Sequence, residues 1–309
     1  MGVIRAMLIR PNPHRMVMAF NHTVVSGGTA MAYRKVMAEG SAYESAQPSV
    51  VKIRLADLKD ILAKGFADFK AVPTHLAFLC VIYPLVIIVF ARFYAGFETL
   101  PLVFPLLFGY TLMGPLVAIG IYELSRRRER GLDVYRRHAF GVFKNPSIIN
   151  TAVLGLVLMV IYFIWMGAAW KIYEMGFGGE APESVVGFAS QIFDTPKGSA
   201  LTIFGSGVGF FFAVMVFSLS LVSFPMILDR NVSAMTAART SLRVVLKNPI
   251  TMAIWGLMVA GSLLIGALPF FVGLAVVLPV LGHASWHLYR KTVLYEEAWN
   301  EVNHRGLWT

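Results

Sequence analysis

Residues 248–289 read NPITMAIWGLMVAGSLLIGALPFFVGLAVVLPVLGHASWHLY, 42 positions without Lys, Arg, Asp or Glu. One helix of that length would measure about 63 Å at 1.5 Å per residue, twice the roughly 30 Å of hydrocarbon in a bilayer. Leu268-Pro269-Phe270-Phe271-Val272-Gly273 lies near the middle, and Pro and Gly punctuate helices. The stretch therefore reads as a tight hairpin of two membrane spans. Working outward, four more charge-free runs are long enough to cross: Ala71 to Ala91, Thr99 to Tyr122, Asn145 to Trp170 and Gly198 to Leu228. The predicted fold is all-α and polytopic, with six transmembrane helices.

Composition agrees. Of 309 residues, 57% are hydrophobic and 14% charged, and mean hydropathy is +0.66. A soluble domain carries about 25% charged residues, and a disordered chain needs low hydrophobicity. The lone Cys80 cannot form an internal disulfide or a CxxC site; it reads as a small buried hydrophobe. The net charge of +10 is unevenly placed. Six spans leave 24 of the 27 Lys and Arg residues on one side and only Arg92, Lys171 and Lys197 on the other. Positive charge marks the cytoplasmic side, so both termini are expected there, with anionic lipid as a partner. No aromatic-interleaved basic patch points to nucleic acid.

The chain also repeats. Val142-Phe143-Lys144-Asn145-Pro146 recurs as Val245-Leu246-Lys247-Asn248-Pro249, and more loosely as Phe69-Lys70-Ala71-Val72-Pro73. An amphipathic segment precedes each step. Leu55, Leu58, Leu62, Phe66 and Phe69 share one helical face, with Asp57, Asp60, Lys64 and Asp68 on the other; Leu132, Tyr135, Ala139 and Phe143 form the second stripe; Met235, Ala238, Leu242 and Leu246 form the third. Such segments lie in the headgroup plane, and the Pro suits the first turn of the span that follows. The predicted unit is a cytoplasmic interfacial helix plus a two-span hairpin, used three times, at about 54–122, 123–228 and 229–290. The membrane domain covers 51–295 and the tail 296–309. Residues 1–50 form an arm. Met1 to Ala38 hold no acid and no signal-peptide core; a start read too far upstream, or disorder, is expected there. On the outer side, Val185, Phe188, Ala189, Ile192 and Phe193 suggest a short surface helix acting as a packed connector.

Polar chemistry collects at the cytoplasmic ends of spans two, four and six: Glu123, Arg126 and Arg127; Asp229 and Arg230; His283, His287 and Arg290. Ionisable groups at membrane depth are costly and default to functional candidates. His283 and His287, four apart on one face, suit shared zinc coordination, and Glu123 and Asp229 would complete four ligands. The weightier reading is a structural layer of acid–Arg pairs, at least one joining two hairpins, with a histidine nearby. The GxxxG of Gly205 to Gly209 lacks a phosphate-loop context and reads as close helix packing. Pro84, Pro115 and Pro279 are expected to kink their spans.

Four motifs carry a resemblance: Gly114 to Arg127 (GPLVAIGIYELSRR), Ser223 to Arg230 (SFPMILDR), Lys247-Asn248-Pro249, and Leu278 to Arg290 (LPVLGHASWHLYR). Over about 55–292 the chain resembles the bacterial predicted integral membrane proteins grouped as domain of unknown function 2189. The resemblance implies an inner-membrane protein and no catalytic residues. Some members carry the label of putative cytochrome c oxidase subunit. A haem–copper catalytic subunit needs more spans and several membrane histidines, whereas only His75, His283 and His287 touch the membrane region here, so no bound haem is expected. No HExxH, P-loop or nucleophile elbow is present. The expected function is non-enzymatic: an accessory or scaffold component of a larger membrane complex, respiratory or photosynthetic, with other membrane subunits as partners. The alternative is a small-molecule or ion transporter with a site among the three hairpins.

Overall fold

The structure, a computed structural model, describes residues 48–74, 118–178, 183–269 and 271–295. The spans expected at 71–91 and 99–122 lie outside the described residues from 75 to 117. The arm up to residue 47, the tail 296–309, and the sites His75, Cys80, Pro84 and Pro115 lie outside them too.

A strap at 48–54 leads into α1 (Leu55–Ala71), whose first turn is closed by Asp57 Oδ2 accepting the Arg54 amide at 2.8 Å. Next come α2 (Ile119–Glu129) and a 3-10 helix at Arg136–Lys144. α3 (Ile148–Phe177) stops at Gly178, whose φ of 74° is the left-handed conformation a glycine adopts without strain. α4 (Val185–Phe193) and α5 (Pro196–Ser220) begin on Ser184 and Thr195, which accept the Gly187 and Gly198 amides. α6 (Ser223–Arg230) ends on Asn231, also left-handed. α7 (Ala234–Lys247) is capped by Ser233, and α8 (Pro249–Ala267) opens on Pro249. α9 (Leu274–Thr292) is the last helix among the described residues. β1 (Ser49–Val50) pairs antiparallel with β2 (Val293–Leu294), so the expected arm boundary at residue 50 is too late: 49 and 50 belong to the fold.

Among the described residues, three helical runs are long and apolar enough to cross a membrane: α3, α5 with α6 as Pro196–Arg230, and α8. α9, the expected sixth span, matches α8 in length but not in apolarity, because its last three turns carry His283, His287, Arg290 and Lys291. The turn expected at 268–273 lies between α8 and α9. A Cβ on Gly273 would sit 2.7 Å from the Gly266 carbonyl oxygen, so the hairpin closes only on glycine. The GxxxG also packs closely, with Gly209 under the Trp165 ring and Gly205 beside Ile172. α4 rests on α3 through Phe188, whose ring lies 6.1 Å from Tyr173 and 6.3 Å from Phe177.

Two expectations are corrected. The middle interfacial segment is a 3-10 helix rather than an α-helix, and Leu132 and Tyr135 precede it. Gly141, which weakens helix preference, lies inside this nine-residue stretch, and the stretch is held in its shape against α2, where Ala139 meets Gly120. Asp68, placed on the solvated face of α1 by periodicity, is buried together with Leu58, Ile61 and Gly65. Parts of all three apolar stripes remain outward: Leu55 and Phe66, Tyr135 and Phe143, and Met235, Leu242 and Leu246 are exposed, whereas Leu58 is buried and Leu62 and Ala238 pack against the core. The core centres on α6, where Phe224, Met226 and Ile227 are fully buried in one cluster with Tyr122, Trp255, Trp286 and Tyr289.

Candidate functional site

α1 crosses α9 at Gly65 and Ala284. A Cβ on Gly65 would come within 2.7 Å of the Ala284 backbone nitrogen, so only glycine allows this approach. One turn further, Asp68 meets His283 and His287. α2 packs on the other side of α9, with Gly282 against Ile121, and delivers Ser125 and Arg128 to the same point.

Asp68 accepts from the Ser125 hydroxyl at 2.6 Å and from His287 Nε2 at 2.9 Å, both on Oδ2. Arg128 pairs with its Oδ1. Ser125 Oγ also lies 2.7 Å from His283 Nδ1. Ser125 has one hydrogen and gives it to Asp68, so His283 donates from Nδ1. Its Nε2 is then a bare lone pair, fully buried and without a partner among the described residues. Burial alone would raise the Asp68 carboxyl. The hydrogen bonds from His287 and Ser125, with the neighbouring histidines, outweigh it and hold Asp68 below the usual carboxylate value.

A second knot lies at the ends of α2, α6 and α9. The buried Asp229 carboxylate takes Arg130 Nη2 at 2.7 Å and the Tyr289 hydroxyl at 3.0 Å, with Arg230 and Arg290 at 3.5 and 3.6 Å. Glu129 accepts Trp286 Nε1 at 2.9 Å and Arg290 Nε at 2.8 Å. Arg230 stacks on the Tyr295 ring, 4.1 Å from its centroid. Glu123 stays on its own helix, with Arg126 at 2.5 Å and Arg127 at 3.8 Å.

The four expected zinc ligands are therefore not gathered. His283 and His287 turn toward α1, while Glu123 and Asp229 turn toward arginines. Among the described residues no group of three or more His, Cys, Asp and Glu is disposed to hold a metal ion. Acid–Arg pairs do join segments distant in sequence, at Asp229–Arg130, Asp68–Arg128 and Glu129–Arg290. Glu123 does not reach Arg230. The two motifs at 114–127 and 223–230 meet where Arg126 Nη1 donates to the Leu228 carbonyl at 3.2 Å.

That joint falls inside a recognised unit. Residues 103–229 match the family model described as predicted integral membrane protein (DUF2189). Over those residues the chain is similar to this family, and its long apolar helices are those of an integral membrane protein. No curated protein and no solved structure matches it. The DUF2189 match includes Glu123, Ser125, Arg126, Arg128, Arg130 and Asp229, but Asp68, His283 and His287 come from outside it. The polar layer thus ties the DUF2189 segment to the helices before and after it.

Sequence reasoning missed Asp68, Ser125, Arg128, Glu129 and Arg130. Ser125 and Arg130 sit within or just after the first motif, and Gly65, a glycine mid-helix, was the local signal of a close crossing.

Proposed function

We propose that this protein crosses a bacterial inner membrane six times, with both termini in the cytoplasm, and works as a non-enzymatic accessory or scaffold component of a larger membrane complex. One observation carries the reading. The charged side chains at the helix ends are largely spent on one another, while the spans turn large apolar groups outward. α3 exposes Leu156 and Phe163, and α5 exposes Phe204, Phe210 and Phe211. A braced polar layer favours rigidity, and aromatic flanks in the bilayer suit helix-to-helix contact with another subunit.

The test is to extract the full chain from its native membrane in polymer-bounded nanodiscs and weigh the particles. An assembly holding a second polypeptide in fixed ratio, released by Phe204→Ser with Phe211→Ser, is expected. Particles holding only this chain would contradict the proposal. The transporter reading has one observation in its favour: the buried, unpartnered Nε2 of His283 is a potential proton or ligand acceptor. Solute or proton flux in liposomes that His283→Gln abolishes would favour it over the scaffold.

A further inference from the structure

The corner where α7 runs into α8 has three faces of different chemistry. Ala237, Ser241 and Val244 are buried. Arg239, Arg243 and Lys247, spaced four apart, form an exposed basic edge. No acid occurs anywhere in α7, and Arg243 and Lys247 have no carboxylate partner among the described residues. Lys247 Nζ does donate to the Val50 carbonyl at 2.7 Å, which leaves two of its three hydrogens for another acceptor. The two cations, with Leu246 and strap residues Pro48, Ser49 and Val50, line an open crevice of about 510 Å³. That is room for a phosphate and the glycerol it carries, within the roughly 300–1,000 Å³ of ordinary ligand sites.

Below the crevice an apolar strip begins. Leu246 is 70% exposed, and on α8 Ile250, Leu257 and Leu264, seven apart, are 71%, 72% and 68% exposed. From Ile250 to Leu264 the strip runs about 21 Å along the helix axis, longer than the roughly 15 Å of one leaflet's hydrocarbon. Two cations at the head of an apolar strip that the described residues leave exposed complement an anionic group joined to a hydrocarbon chain.

We propose that this corner binds one anionic phospholipid, its phosphate on Arg243 and Lys247 and an acyl chain along Ile250 and Leu257. The site rests on the reading that α7 lies at the membrane surface, and it gives the general attraction to anionic lipid one specific seat. Asn248 keeps the crevice in shape. Its side chain accepts the Ile53 amide at 2.8 Å and donates to the Val51 carbonyl at 3.1 Å, which fixes the strap against the α7–α8 joint.

The test is native mass spectrometry of the delipidated full chain in detergent, titrated with phosphatidylglycerol or phosphatidylcholine. The wild type is expected to retain one phosphatidylglycerol in preference to phosphatidylcholine. Arg243→Gln, which leaves the Lys247–Val50 bond intact, should weaken that binding roughly fivefold, and adding Lys247→Gln should weaken it roughly fivefold again. Lys171→Gln, at the far end of α3, should change nothing. Equal retention of both lipids, or unchanged binding in the Arg243 variant, overturns the site. So does a photo-crosslinker at Leu246 that captures a polypeptide rather than lipid in native membranes. Because the titration needs no defined orientation, a wrong topology would leave its result standing.

Discussion

Asp68 shows how far a single side chain can depart from its helical pattern. Its neighbours on α1 mark it as solvated, yet its partners Ser125 and His287 lie 57 and 219 positions away, and no local period can reveal such contacts. The histidine pair was legible because i, i+4 spacing puts both rings on one face; their carboxylate was not. Because the folded Asp68 titrates below its ordinary 3.8, the native state holds fewer protons than the unfolded one near that pH. Its contribution is present above pH 3.8 and is lost as pH falls through the lower folded value. Thermal unfolding in detergent should therefore show an acid decline that is shallower in Asp68→Asn. Ser125→Ala strips a donor from Asp68 and an acceptor from His283, and should cost about 1–3 kcal/mol at neutral pH. A neutral result would mean that water replaces the hydroxyl. Asp229→Asn should cost more than Arg130→Gln, since the buried carboxylate serves four groups while Arg130 is partly exposed. Removing one partner of a buried pair runs to about 3–5 kcal/mol, and the double change should cost less than the sum.

Elements obeyed the sequence where punctuation was strong. The Pro–Gly turn between α8 and α9, the outer helix at 185–193 and the Lys-Asn-Pro entry to α8 all follow from glycine, proline and capping rules. The middle interfacial segment did not, because Gly141 removed the helical preference that its apolar spacing suggested. The strap at 48–54 was invisible as well. It is too short for any period, and what holds it is the Asn248 amide, some 195 positions away. Asn248→Ala should free the strap and speed trypsin cleavage at Lys52 and Arg54, with a loss of roughly 1–3 kcal/mol. Gly65→Ala forces α1 off α9 at the Ala284 crossing, and overpacking of this kind costs about 1–3 kcal/mol. Because Asp68 rides on the same helix, this variant should flatten the acid decline as well as lower the melting temperature. A lower melting temperature with the wild-type acid slope would separate the crossing from the network.

At the scale of the molecule, the account rests on placing the braced polar layer and the outward parts of the three apolar stripes at the cytoplasmic face of a bilayer. Composition made the membrane class plain, and α3, α5 with α6, and α8 have the length and apolarity to cross. The joining of the DUF2189 segment to α1 and α9 was not readable, because it depends on contacts among helices distant in sequence. The proposed orientation rests on the 24-to-3 division of basic residues that six spans would give, and it would put α4 and the start of α7 on opposite sides. Paired reporters, one active only outside the membrane and one only inside, fused after Gly187 and after Ala234 test this most directly. The account predicts an outside signal at Gly187 and an inside signal at Ala234, with Arg130 also inside. Signals from the same side at Gly187 and Ala234, or the reverse pattern, would contradict it.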